Sequence, residues 1–176
     1  MILNKTVISS LKLIQLEYEL LRKYVNFELF PLDQLDKEQV GYSIDNNVNS
    51  LITGEDGSWD NNWLVIGYET LCGDPIIIDL SEDGYPVTRL IHGMGSWEGG
   101  TYLSFSIDSF YNILKGLNNF IHDKCLTNGN INILYQELNL AIKDLFQADK
   151  YTSFEDWGLL LGPLIDLSKE HEDDLI

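Results

Sequence analysis

Basic side chains are scarce in this chain. Lysine and arginine together number 11 against 28 aspartates and glutamates, giving a formal net charge of −17 over 176 residues. So acidic a chain is repelled by nucleic acid and by anionic membranes, so neither is an expected partner. Its field draws in basic partners and speeds their encounter at low salt. Charge of this kind also keeps a protein soluble, and that plainer role stands beside the first. Cysteine is almost absent, at two residues. Cys72 and Cys125 form no CxxC pair and no cysteine–histidine cluster with zinc spacing, so neither a metal nor a cofactor is expected. Spacing alone leaves a bridge between them open, with two reduced thiols the expectation for a cytoplasmic chain. No apolar run reaches the roughly 18 residues of a membrane span. The opening Met1-Ile-Leu-Asn-Lys-Thr6 has no basic segment leading into an apolar one, so a secretion signal is not expected and a cytoplasmic location is. Internal repeats and low-complexity linkers are also missing, and one domain over 1–176 is the expectation.

What is present is apolar and aromatic: 44% hydrophobic and 11% aromatic residues, the composition of a folded chain. The densest run is Trp63 to Leu80. Trp63–Tyr68 is nearly all apolar, Ile76, Ile77 and Ile78 form a second block, and Cys72-Gly-Asp-Pro75 separates the two. Two such blocks around a Gly-Asp-Pro turn predict an antiparallel pair in the middle of a sheet. Continuous rather than alternating apolar character predicts cover on both faces. Pro75 has no amide hydrogen, so it belongs at the start of the second strand. Ser81-Glu-Asp-Gly84 is a polar turn, Pro86–His92 resumes strand chemistry, and Gly93–Gly100 is a glycine-rich loop. Thr101–Ile107 alternates as a short strand, and a helix begins at Asp108, capped by Asp108 or Ser106.

The order Trp63…Ile66-Gly67, Gly73-Asp74-Pro75-Ile76…Asp79, Pro86-Val87…His92-Gly93…Ser96-Trp97, then Ser106…Phe110…Leu114 resembles the SUKH superfamily of the Smi/Knr type. The resemblance is best over about 63–119, and the N-terminal third departs from the family's usual opening. It implies an α+β domain: a central, mostly antiparallel sheet with an N-terminal helix and C-terminal helices packed on it. It also implies a non-catalytic binding protein, with bacterial immunity proteins that bind and silence toxins as the leading expectation. An intracellular regulatory scaffold of the cell-wall and glucan-synthesis type is the alternative, and a small hydrolase a remote one.

The flanks read less sharply. Ser9 or Ser10 is placed to cap a first helix with Leu11, Ile14, Leu20 and Leu21 on its apolar side. Val25–Ile44 reads as strand, a turn of helix from Pro31, and strand over Gln39–Ile44, followed by a turn at Asp45–Ser50 and a loop at Gly54–Asn62. From Glu28 to Asp60 eight acids face the single base Lys37. Helices are expected over Ser109–Ile121, Ile131–Phe146 and Phe154–Leu161. Gly162-Pro163 is read as stopping or kinking the last, with a frayed acidic tail beyond.

The residues that could carry chemistry fall mainly in two loops. Glu55-Asp56-Gly57-Ser58 lacks the ligand register of an EF-hand. His92, Ser96 and Glu98 share one short loop, but GMGSW lacks the strand–elbow–helix context of GxSxG, and no GK[ST] follows it. Asp74 and Asp79 could pair as acid and base. The simpler reading gives Asp74 to the turn, bonding local amides, and Asp79 to the strand end. His92 is expected to pack under its loop with Trp97 as anchor. No catalytic residue is therefore expected. The expected contacts with a protein partner, a basic toxin domain above all, are Trp59, Asp60, Asp74, Glu82, Asp83, His92, Trp97 and Glu98. Trp59, an aromatic between Asp56 and Asp60, is the most interface-like of them.

Overall fold

The computed structural model describes residues 3–93, 96–97, 100–124, 133–147, 149, 152 and 157–173, the last five of these as backbone. Glu98, Cys125, Ile131 and Phe154 lie outside the described residues. Helix α1 spans Lys5–Leu21, and strands β1 to β5 span Phe27–Leu29, Trp63–Glu69, Pro75–Asp79, Val87–Leu90 and Gly100–Ser104. Helices α2, α3 and α4 follow at Ile107–Asp123, Tyr135–Gln147 and Gly162–Asp173. The five strands form one antiparallel sheet in the order β1-β2-β3-β4-β5, so the fold is α+β, a meander with helices before and after it. Among the described residues no helix is long and apolar enough to cross a membrane.

The central pair forms as the sequence predicts. Leu64 faces Ile78, Val65 faces Ile77, and Pro75 opens β3. Alternation then divides the apolar run between two faces. Leu64, Ile66, Ile76 and Ile78 join the large core under the helices, while Val65 and Ile77 join a second cluster on the other side. Gly67 is required where β1 pairs with β2, because a Cβ there would land on the Glu28 carbonyl. Two bulges bend the sheet. The extra residue in β2 is Ile66, and its carbonyl accepts from Phe30 N at 2.8 Å. In β5 it is Leu103, and its carbonyl accepts from Trp157 Nε1 at 2.8 Å and Thr152 Oγ1 at 3.1 Å. Trp157, fully buried between Phe27, Phe110 and Phe146, thereby fastens the helical layer to the β5 edge.

Helices α1 and α2 run in the same direction, since Ser10 bonds Asp108 at 3.0 Å and Asn118 bonds the Glu17 carbonyl at 2.9 Å. Ser106 caps α2 by accepting from Ser109 N. Asn4, not Ser9 or Ser10, caps α1, so the helix begins a turn earlier than expected. Its buried stripe is Val7, Leu11, Ile14, Tyr18 and Leu21, and Leu20 is left 65% exposed. Two other expectations also fail. Gln39–Ile44 is not a strand but a series of turns with isolated bridges, broken by Gly41 at φ +90°. The break expected at Gly162-Pro163 is present, since helical residues 157–158 give way to turns at 159–161, and Pro163 stands in the first turn of α4, where its missing amide costs nothing. The tail expected to fray from Ser168 is helical as far as Asp173.

Candidate functional site

The face of the sheet away from the helices is built by simple alternation. Val65, Ile77, Thr88 and Tyr102 are paired in sequence across β2 to β5 and so share that outer face. Trp63, Asp79 and Leu90, two residues further along their strands, extend it. Among the described residues no helix covers this face. Residues 30–62 cross it instead and lay Trp59 against Val65, Ile77 and Leu90. Trp59 is 2% exposed. It meets Trp63 at 5.5 Å and Trp97 at 5.1 Å edge to face, and Tyr42 at 5.1 Å. Trp97 is held there by its own amide, which donates to the Gly57 carbonyl at 2.8 Å. Its loop docks closely enough that a Cβ on Gly57 would strike Ser96.

The cover is fastened by side chains rather than by a ladder. Gln39 is buried and donates through Nε2 to the carbonyls of Leu35 and Val65, at 2.9 Å each. Its Oε1 accepts from Val65 N at 3.1 Å. Asp45 accepts from Asn47 N and Asn49 N, each at 2.8 Å, and bonds with Asn49 hold its carboxyl below the usual range. Burial, then Glu38, pushes the Tyr42 phenol up.

Over residues 38–88 the chain carries ten acids and no lysine or arginine. Glu69 and Asp74 are buried. The others occupy the outer cover and the turns at the sheet's ends. Exposed Glu55 and Asp56, together with Trp59, Trp63 and Trp97, line a recess of about 420 Å³. Exposed Asp60 accepts from Asn62 N at 2.7 Å. Leu80 N in turn donates to Asn62 O, which brings the Asp60 loop to the same end of the sheet as Glu82 and Asp83, both exposed in the β3–β4 turn.

The expected contact residues therefore divide. Trp59 and Trp97 meet, but Trp59 is a buried support rather than an exposed anchor. Asp60, Glu82 and Asp83 share one end of the sheet. Asp74 and His92 share the other, bonded through His92 Nδ1 at 2.8 Å and His92 N at 3.1 Å. Asp74 also holds Arg89 at 3.2 Å and is 5% exposed, so it is not presented to a partner. Nor does it bond the local amides. That role falls to Glu69, which accepts from Leu71 N and, at 2.8 Å, from Cys72 N. His92 is half exposed instead of packed under its loop. Glu98 lies outside the described residues.

Catalytic pairings are not assembled. Asp74 and Asp79 bracket the length of β3, about 16 Å apart at strand rise, well beyond the roughly 5–9.5 Å of a glycosidase pair. No hydrogen bond joins His92 to Ser96 among the described residues, where no three His, Cys, Asp or Glu side chains could hold a metal ion. Cys72 is exposed and free. Sequence reasoning passed over Trp63, Asp79, Thr88 and Tyr102 as one surface, although alternation within each strand carried the signal once the register was known. Trp63 Nε1 donates to Asp79 Oδ2 at 3.1 Å. Comparison with family models, curated proteins and solved structures found no match to this chain.

Proposed function

We propose that this chain is a non-catalytic binding module that attaches to a basic protein through its acidic outer face. Its biological role on this reading is that of a bacterial immunity protein, which neutralises a toxin by covering a site on it. The observation that carries the reading is the base-free acidic run of residues 38–88, whose first part, 38–62, folds over one face of a sheet whose other face is filled by helices and whose remainder supplies the central strands and their acidic turns. Charge steers a cationic partner to that face. The tryptophan cluster beneath keeps the acidic loops from collapsing, so little conformational freedom is lost on binding. The resemblance of 63–119 to SUKH proteins supports the immunity role, and the separation of Asp74 from Asp79 along β3 supports a role without turnover.

Co-expression with the product of a toxin gene adjacent to its own tests the proposal. The expected result is restored growth, with the two proteins co-purifying at low salt and separating as salt rises. Continued killing by every adjacent toxin, with this chain present and folded, would contradict it.

A further inference from the structure

At the β5 end of the outer face lies a recess of about 290 Å³ that no contact described above fills. The geometry points to it as the seat of one arginine side chain supplied by the basic partner. This rests on the reading that the outer face meets a cationic protein, and adds to it the group received and the pocket that receives it.

The recess is near the lower end of the size range of small-molecule sites (roughly 300–1,000 Å³), which suits one side chain better than a cofactor. Trp63, Trp97 and Tyr102 supply aromatic walls, and a cation over such rings is drawn to their negative faces. Asp79 supplies the charge. Its Oδ1 accepts from Ser81 N at 2.8 Å and Ser81 Oγ at 2.6 Å, while among the described residues its Oδ2 receives only the Trp63 indole. A carboxylate offers about four acceptor positions, so one stays open on Oδ2. The carboxylate is thus fixed in place, and no lysine or arginine pairs with it among the described residues. Arg89 is next to Thr88 in sequence, hence on the opposite face, and it is engaged by Asp74.

Thr88 completes the recess. It is nine-tenths buried, lines the recess, and its hydroxyl has no side-chain partner among the described residues. A flat guanidinium stacks on aromatic rings and donates in a fork, so it can serve Asp79 and Thr88 together. A lysine ammonium is more strongly hydrated and cannot stack in this way.

The experiment is a titration of the ¹⁵N-labelled chain with Nα-acetyl-argininamide and, in parallel, with the citrulline amide, which keeps the shape and loses the charge. The signals followed are those of the four tryptophan indoles. The expected result is saturable movement of the Trp63 and Trp97 signals at millimolar arginine amide, with binding of the citrulline amide weaker by about tenfold or more. Tyr102→Ala and Asp79→Asn are each expected to weaken binding by a similar factor. The Trp157 indole, bonded to Leu103 O, should stay in place as a report on the fold. Should Asp79→Asn disturb Trp157, Tyr102→Ala decides, because Tyr102 is 45% exposed on an edge strand and removable without opening the core. Absence of a saturable shift, equal binding of the two amides, or indifference to Tyr102→Ala would overturn the assignment. If the arginine amide fails while a basic partner is still captured in a salt-dependent way, the pocket assignment alone falls. If it binds as expected and no basic partner is captured, the pocket stands and the broader reading falls.

Discussion

Gln39 takes the place of a strand that the sheet does not have. β1 ends at Leu29, opposite Gly67, so Val65 has no β1 residue to pair with. The Gln39 amide supplies both missing bonds, donating to the Val65 carbonyl and accepting from its amide, while its remaining hydrogen satisfies Leu35. Leaving buried donors and acceptors unpaired costs about 1–3 kcal/mol. Gln39→Ala is therefore expected to lower the urea midpoint by that much stability at unchanged slope, and a wild-type midpoint would contradict the role. None of this was legible in the sequence, where Gln39 stands ahead of an apolar run and reads as the start of a strand. The exchange of roles between Glu69 and Asp74 was hidden for a similar reason. A Gly-Asp-Pro turn predicts that the aspartate bonds local amides, but the tertiary fold brings Arg89 and His92 to it, and the carboxylate at the other end of the same turn, Glu69, takes the amides instead.

At the scale of elements, β2, β3, β4 and α2 were readable because their signals are local: unbroken β-branched runs, Pro75 at a strand start, Ser106 before an amphipathic helix. Helix α1 was misread at its start and at Leu20, although Leu11, Ile14 and Leu21 are buried as expected, because it carries two apolar stripes. Val7, Leu11, Ile14, Tyr18 and Leu21 face the core, while Leu13, Leu16 and Leu20 recur at helical spacing on the exposed side, and periodicity alone cannot choose between them. The cover of residues 30–62 was least legible, since side-chain clamps and ring contacts hold it and neither leaves a period in the sequence. Tyr42 gives a handle on that element. Its phenol is pushed up by burial first and by Glu38 second, so the folded state keeps its proton where the unfolded state has begun to lose it. A raised folded-state value means stability is complete below the ordinary phenol range near 10 and is lost as pH rises through the folded value. Tyr18, raised by burial, and Tyr68, raised by its bond to Glu28, act in the same sense. Urea midpoints at pH 8 and pH 11 are expected to show an alkaline loss, smaller in Tyr42→Phe than in the wild type. An equal loss would place the Tyr42 ring in solvent.

At the scale of the molecule, the sheet divides two functions. One face carries the helices and most of the core, and the other carries a cover rich in acids and tryptophan with Lys37 as its single base. The sum of the charge was readable from composition, but that the acids of residues 38–62 lie across the outer face of the strands follows only from the fold. The most direct measurement is the association rate of a captured basic partner with two charge-reversed variants. In one, Glu55→Lys and Asp56→Lys reverse exposed acids beside Trp97. In the other, Asp123→Lys and Asp144→Lys reverse exposed acids on α2 and α3. Both change net charge equally, so only position distinguishes them. At low salt the first variant is predicted to associate at least about tenfold more slowly than the wild type and the second within about twofold of it. Equal slowing by both, or slowing by the helix-side pair alone, would contradict the assignment of binding to the acidic outer face.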